Sequence, residues 1–170
     1  AYSKLLTYTD DTIPKELFAE TGTQTYAFID PTRKGTDFFA MGIFRRYKES
    51  TGGWSKWYLI DCIFEQKPPK ELIYDVAFKI VHHKITRLGY ENNIDVSFDD
   101  LLNYKLKEIG GKGIEIDSFF SSNESKQTKI SNASFGMRKE IIYPSIKMYA
   151  LNSPMGKGMQ QFTSWSLSQK

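Results

Sequence analysis

The sequence predicts an α/β fold built on a sheet of mixed strand direction, and two observations carry that expectation. Three runs rich in β-branched and aromatic residues follow one another across short links: TYAFID (Thr25 to Asp30), DFFAMGIFRRY (Asp37 to Tyr47) and WSKWYLIDCIFEQ (Trp54 to Gln66). Short links between such runs favour an antiparallel meander. The hydrophobic period then changes, and helical stretches alternate with further short strands. A strand reached through a helix lies parallel to its neighbour in the same sheet.

Each later element has its own signature. KPPKELIYDVAFKIVHHKI places Ile73, Val76, Ala77, Ile80 and Val81 at helical spacing, with prolines at the start, where a missing amide proton costs little. ITRLGYENN (Ile85 to Asn93) reads as a short strand. SFDDLLNYKLKEIGGKG reads as a helix capped by Ser97 and stopped by Gly110 and Gly111, and GIEIDSFF alternates strictly enough for another strand. A second long helix is expected from Asn123, with Ile130, Ala133, Met137 and Ile141 on one face. YPSIKMYALNSPMGKG reads as loop and short extended pieces, and GMQQFTSWSLSQK as a weaker helix.

Composition bounds the class. With 170 residues, 40% hydrophobic and 25% charged, the chain predicts one compact domain over 1–170, with residues 1–24 as a lead-in. No run approaches the roughly 18 uninterrupted apolar residues of a membrane span, and AYSKLLTYTDD lacks the apolar core of a signal peptide, so a cytosolic setting is the default expectation. A net charge of +3 permits a nucleic-acid partner without arguing for one. The single Cys62 excludes a disulfide within the chain and reads as a buried, inert thiol. A start at Ala rather than Met suggests a fragment, a processed product or a domain cut from a longer polypeptide.

The candidate chemistry lies at strand ends. If the first strand is central, the ITRLGYENN strand lies parallel beside it, where the chain switches from meander to crossovers and open α/β sheets place their sites. Asp30 ends the one and Glu91 the other, and neighbouring strands lie only about 4.8 Å apart, so two carboxylates converge. They would repel unless a cation shared them, and hard oxygen donors suit Mg²⁺ or Mn²⁺. Asp37, at the start of the antiparallel partner strand, projects toward the same edge as a third acid. Two ions so held, about 3.5–4 Å apart, are the equipment of phosphodiester hydrolysis. An Asp before Pro is equally a turn former, so DPT alone fits an ordinary loop; Glu91 at the matching strand end is what adds weight.

Other residues are weaker candidates. Arg33 and Lys34, between the two aspartates, could meet a phosphate next to the scissile one or form a solvated turn. Lys126 and Lys129 fall on one face of an expected helix start, whose N-terminus favours anions. Arg138, Lys139, Lys147 and Lys157 could extend a basic track, although a solvated face explains them as well. His82 and His83 are adjacent and so point about 100° apart on a helix, unsuited to joint metal ligation. Trp54, Trp57 and Tyr58 could stack on bases, but strand aromatics more often pack the core. GGKG and GKG lack the spacing of a phosphate-binding loop, and no Ser/His/Asp or Cys/His arrangement is supported.

Taken together, AFIDPTRKGTDFFAMGIF, then GYENN, then SFFSSNESKQTKI followed by EIIYP, resemble in order and spacing the nuclease domain of phage terminase large subunits, over nearly all of the chain. The resemblance implies a ribonuclease H-like fold and metal-dependent endonuclease cleavage of concatemeric viral DNA during packaging in the host cytoplasm. It implies Asp30 and Glu91 as ligands of Mg²⁺ or Mn²⁺, with Asp37 as the auxiliary acid. It also implies double-stranded DNA as substrate, an upstream ATPase domain, a small terminase subunit and a portal as partners, and a remaining acid from an Asp-rich motif beyond Lys170. Two rival readings of the fold stay open: a DNA-binding or assembly module that does not cleave, and another ribonuclease H-like enzyme such as a resolvase or transposase.

Overall fold

A computed structural model describes residues 5–30, 38–91, 97–111, 114–119 and 139–167. In chain order these form β1 (Leu6–Tyr8), β2 (Thr23–Asp30), β3 (Phe39–Tyr47), β4 (Trp57–Glu65), α1 (Pro69–His82), β5 (Arg87–Glu91), α2 (Ser97–Glu108), β6 (Glu115–Phe119), β7 (Ile141–Pro144) and α3 (Pro154–Leu167). The strands make one sheet in the order β1-β7-β4-β3-β2-β5-β6. Only β3 runs against its neighbours; every other pairing is parallel. The expected meander is β2-β3-β4, and the expected parallel strand beside the first is β5.

Strand alternation sorts side chains onto two faces. Ala27 and Ile29 of β2, Phe39, Met41 and Ile43 of β3, Ile63 of β4, and Leu88 and Tyr90 of β5 pack beneath α1 and α2. Helix α1 contributes Leu72, Val76, Ala77 and Ile80 to this core, and α2 contributes Phe98, Leu102 and Leu106, each set recurring at helical spacing. The buried stripe of α1 is rotated from the expected one: Leu72 is buried, whereas Val81 is 40% exposed. On the other face α3 lies over β4, with Met159 packed against Leu59 and Tyr143. Cys62 faces α3, its Sγ 3.8 Å from Met155 Sδ, and burial pushes the thiol pKa up to about 12, which keeps it protonated and inert.

Three expectations need adjusting. Ile141, expected on a helix face, opens β7, which inserts between β1 and β4. The run IIYP is β-branched and aromatic and ends at a proline, so it suits a short strand half covered on both faces. The lead-in supplies β1, whose Tyr8 is buried and donates its hydroxyl to the Leu59 carbonyl at 2.6 Å. Helix α3 begins at Pro154, earlier than expected, because Ser153 caps it: the Ser153 hydroxyl accepts the Gly156 amide at 3.0 Å, with proline at the first helical position. Residues 123–138 of the helix expected from Asn123 lie outside the described residues, and Lys139 and Glu140, which follow them, are helical. Among those described, no helix is long and apolar enough to cross a membrane.

Candidate functional site

The register between β2 and β5 fixes the carboxylate edge. Tyr26 pairs with Arg87, Ala27 with Leu88, Phe28 with Gly89 and Ile29 with Tyr90. Asp30 and Glu91 are the next residues and the last of their strands. Gly89 permits this pairing at close quarters, because a Cβ there would run into the Tyr26 hydroxyl and the Phe28 ring. Beneath the edge, Tyr90 stacks on Phe98 of α2 with centroids 5.1 Å apart and planes within 8°, and Phe39 leans on the same Phe98 at 6.3 Å. Ile29, Phe39 and Tyr90 are each no more than 1% exposed, so the end of both strands rests on a packed aromatic floor. Asp30 itself is exposed and opposite the small Ala40 of β3.

Asp37, Arg33, Lys34, Lys126, Lys129 and Arg138 lie outside the described residues. Lys139, Lys147 and Lys157 are exposed, as a solvated face requires. Among the described residues no group of three or more His, Cys, Asp or Glu converges.

At the opposite edge of the sheet is a cluster that the sequence did not reveal. A bulge between Ile43 and Phe44 leaves Ile60 as an extra residue of β4 and sets Asp61 opposite the buried Ile43, facing α1. Asp61 Oδ2 accepts Lys79 Nζ at 2.6 Å and pairs with His83 Nε2 at 2.8 Å, while Oδ1 accepts the Cys62 amide at 2.8 Å. Burial alone would raise the Asp61 pKa, but the hydrogen bonds from His83 and Lys79 outweigh it and hold the carboxyl down at about 2. His82 is stacked on Phe78 at 5.8 Å and, contrary to the expectation that the adjacent histidines diverge, its ring meets that of His83 edge-on at 4.8 Å; the Asp61 carboxylate is bonded by His83.

This cluster borders an open cavity of about 770 Å³ at the start of β2 and β5. Arg45 is held rigidly in it: Nε donates to Thr25 Oγ1 at 2.8 Å and the two amino groups to the carbonyls of His83 at 3.1 Å and Leu17 at 3.4 Å. Burial lowers its pKa, a sign that its charge is poorly solvated. Arg46 forks onto Gln24 Oε1 at 2.9 and 2.7 Å, and its guanidinium lies 4.8 Å from the Trp54 ring centroid and 4.5 Å from that of Trp57. Of the three candidate stacking aromatics, Tyr58 is therefore a core residue, and the two tryptophans hold an arginine. The signals for this edge were the paired Arg45–Arg46, the lone Asp61 in an apolar run, and His82–His83–Lys84 at a helix end.

Five strands ordered β4-β3-β2-β5-β6, with β3 alone reversed among them and helices on both faces, define an α/β protein with a sheet of mixed direction, the fold class expected from the sequence. No protein-family model and no curated protein sequence matches the chain. Among solved structures, it is similar to the large terminase of a thermophilic bacteriophage in complex with ADP, at 16% identity and a TM-score of 0.43. That match covers 72% of this chain and 28% of the terminase, so the chain spans little more than a quarter of that protein. It is also similar to the fowlpox virus Holliday junction resolvase, at 14% identity and a TM-score of 0.45, covering 85% of this chain and 99% of the resolvase. The fold class stands on the strand order itself.

Proposed function

We propose that the chain is a metal-dependent nuclease that cuts double-stranded DNA, of the kind found in the large subunits of phage packaging terminases. The observation that supports this most is the register of β2 and β5, in which Ile29 pairs with Tyr90 and the following residues, Asp30 and Glu91, end adjacent parallel strands. Strand ends about 4.8 Å apart bring two hard oxygen donors together, a donor set that fits Mg²⁺ or Mn²⁺. Asp30 and Glu91 would hold the ion, with Asp37 as a third acid. A divalent cation bound there would supply Lewis-acid stabilisation of the phosphate and lower the pKa of an attacking water.

The chain's own residues position and admit the substrate. The buried Ile29, Phe39, Tyr90 and Phe98 cluster holds the two strand ends in fixed relation, and the exposure of Asp30 leaves the edge open to a duplex. Arg33 and Lys34 would steer a neighbouring phosphate toward the carboxylates, and Lys126 and Lys129 would hold the DNA backbone further along. The terminase motifs in the sequence support a role in genome packaging, alongside an ATPase domain, a small subunit and a portal.

The test is cleavage of supercoiled plasmid with Mn²⁺. Wild-type protein nicks and linearises the plasmid, chelation with EDTA stops it, and Asp30→Ala or Glu91→Ala each abolishes it. Cleavage that survives both substitutions would sink the assignment. Salt-sensitive DNA binding with no cleavage by the wild type would instead identify a binding module of the same fold.

A further inference from the structure

The cavity at the opposite edge gathers positive charge that the carboxylate chemistry does not use. Arg45, Arg46 and Lys84 line it, with Arg87 beside them, against one carboxylate, Glu20. Neither Arg45, Arg46 nor Lys84 has a carboxylate within 4.0 Å among the described residues. An aromatic wall adjoins the cations: Trp57 lines the cavity and Phe18 stands at its rim, 65% exposed.

Lys84 is the most informative of these residues. Helices α1 and α2 end in the same capping motif. At α2 the Gly110 amide bonds the Lys107 carbonyl and the Gly111 amide bonds the Leu106 carbonyl; at α1 the Lys84 amide bonds Val81 and the Ile85 amide bonds Ile80. The motif needs a left-handed residue at its turn. At α2 this is Gly110, with φ of +77°, whereas at α1 it is Lys84, with φ of +53°. A side chain with a Cβ is disfavoured there, and glycine would serve the turn better. Capping explains Arg45, which covers the His83 carbonyl, but it explains neither a lysine at the left-handed position nor an arginine within 5 Å of two indole centroids.

We infer that this cleft is a binding site for a nucleoside phosphate, separate from the carboxylate edge: Lys84 and Arg45, on the α1 side of β3, face the phosphate, and Arg46 with Trp57, on its other side, and Phe18 at the rim offer planar surface to the base. A cavity of about 770 Å³ accommodates a ligand of that size. Arg46 is pre-organised for the task, since its planar fork already sits in one orientation and loses little freedom on binding. The ligand is either a free nucleotide or the terminal nucleotide of a strand, which present the same phosphate and base.

Calorimetric titration of the full chain in EDTA removes any contribution from a metal at Asp30 and Glu91. The probes are inorganic phosphate, adenosine monophosphate, and a short single-stranded oligonucleotide with and without a 5′-phosphate. Saturable binding of the mononucleotide is expected, retained by Asp30→Ala and weakened about tenfold by Lys84→Gly or Arg46→Gln. Lys84→Gly is expected at the same time to raise Tm by about 2–4 °C by relieving the left-handed turn, so lost affinity cannot be ascribed to a damaged fold. Tighter binding of the phosphorylated oligonucleotide than of the mononucleotide supports a strand end, and the reverse order supports a free nucleotide. No saturation by any probe, affinity untouched by Lys84→Gly and Arg46→Gln, or equal affinity for inorganic phosphate would overturn the inference. None of these outcomes depends on whether the carboxylate edge cleaves DNA.

Discussion

Ile29 and Tyr90 face each other in register between two parallel strands, both almost fully buried beneath α1 and α2. The residues after them, Asp30 and Glu91, end the two strands together. The pair of carboxylate positions is thus anchored by its apolar neighbours, which separates stability from chemistry at this edge. Tyr90→Ala removes a ring stacked on Phe98 and is expected to cost about 3–5 kcal/mol in urea unfolding. Asp30→Asn alters an exposed side chain and is expected to change stability by less than about 1 kcal/mol while eliminating Mn²⁺-dependent cleavage. A large destabilisation by Asp30→Asn would mean that its role is structural.

Asp61 joins β4 to the end of α1 through Lys79 and His83. Its folded carboxyl titrates at about 2, below the unfolded value of 3.8. Stability from this cluster is therefore fully present above the unfolded value and is lost as pH falls through the folded one. Asp61→Asn is expected to cost about 1–2 kcal/mol at pH 7, allowing for the partial exposure of all three side chains. In urea titrations the gap to wild type should close as pH drops from about 5 to about 2. A gap of constant size over that range would assign the loss to packing rather than charge.

Gly89 lets Tyr26 and Phe28 of β2 lie across β5. Gly89→Ala places a Cβ against both rings, and strands this close yield only by shifting side chains or register. A cost of about 1–3 kcal/mol is expected, measured as a lower denaturation midpoint with unchanged slope. A neutral or stabilising result would show that the two aromatic side chains move aside freely.

Ser153 starts α3 by accepting the Gly156 amide. Ser153→Ala leaves that amide without its partner and is expected to cost about 1 kcal/mol. Ser153→Asp, which caps equally well and places negative charge at the helix start, should restore wild-type stability in thermal unfolding. Failure of the aspartate to recover stability would mean that the hydroxyl matters for its bond to the Ala150 carbonyl instead.

Local pattern determined the parts of this protein whose burial is one-sided and regular. The runs TYAFID and ITRLGYENN placed the ends of β2 and β5 at Asp30 and Glu91, because an acid that follows a strand-forming run marks where the strand runs out of core. The glycines after α2 marked its end, because that turn needs a left-handed residue. Where neighbours rather than neighbouring sequence decide, pattern fell short. IIYP is too short to show a period and became β7 only because β1 and β4 flank it on either side. Ser153–Pro154 carried a legible capping signal, obscured by the glycines that follow it. The basic cleft draws Arg45 and Arg46 from β3, His83 and Lys84 from the end of α1, and Arg87 from β5. No stretch of sequence brings those charges together; the crossover that returns the chain from β4 through α1 to β5 does, because it carries the end of a helix to the same sheet edge where β3 ends and β2 and β5 begin.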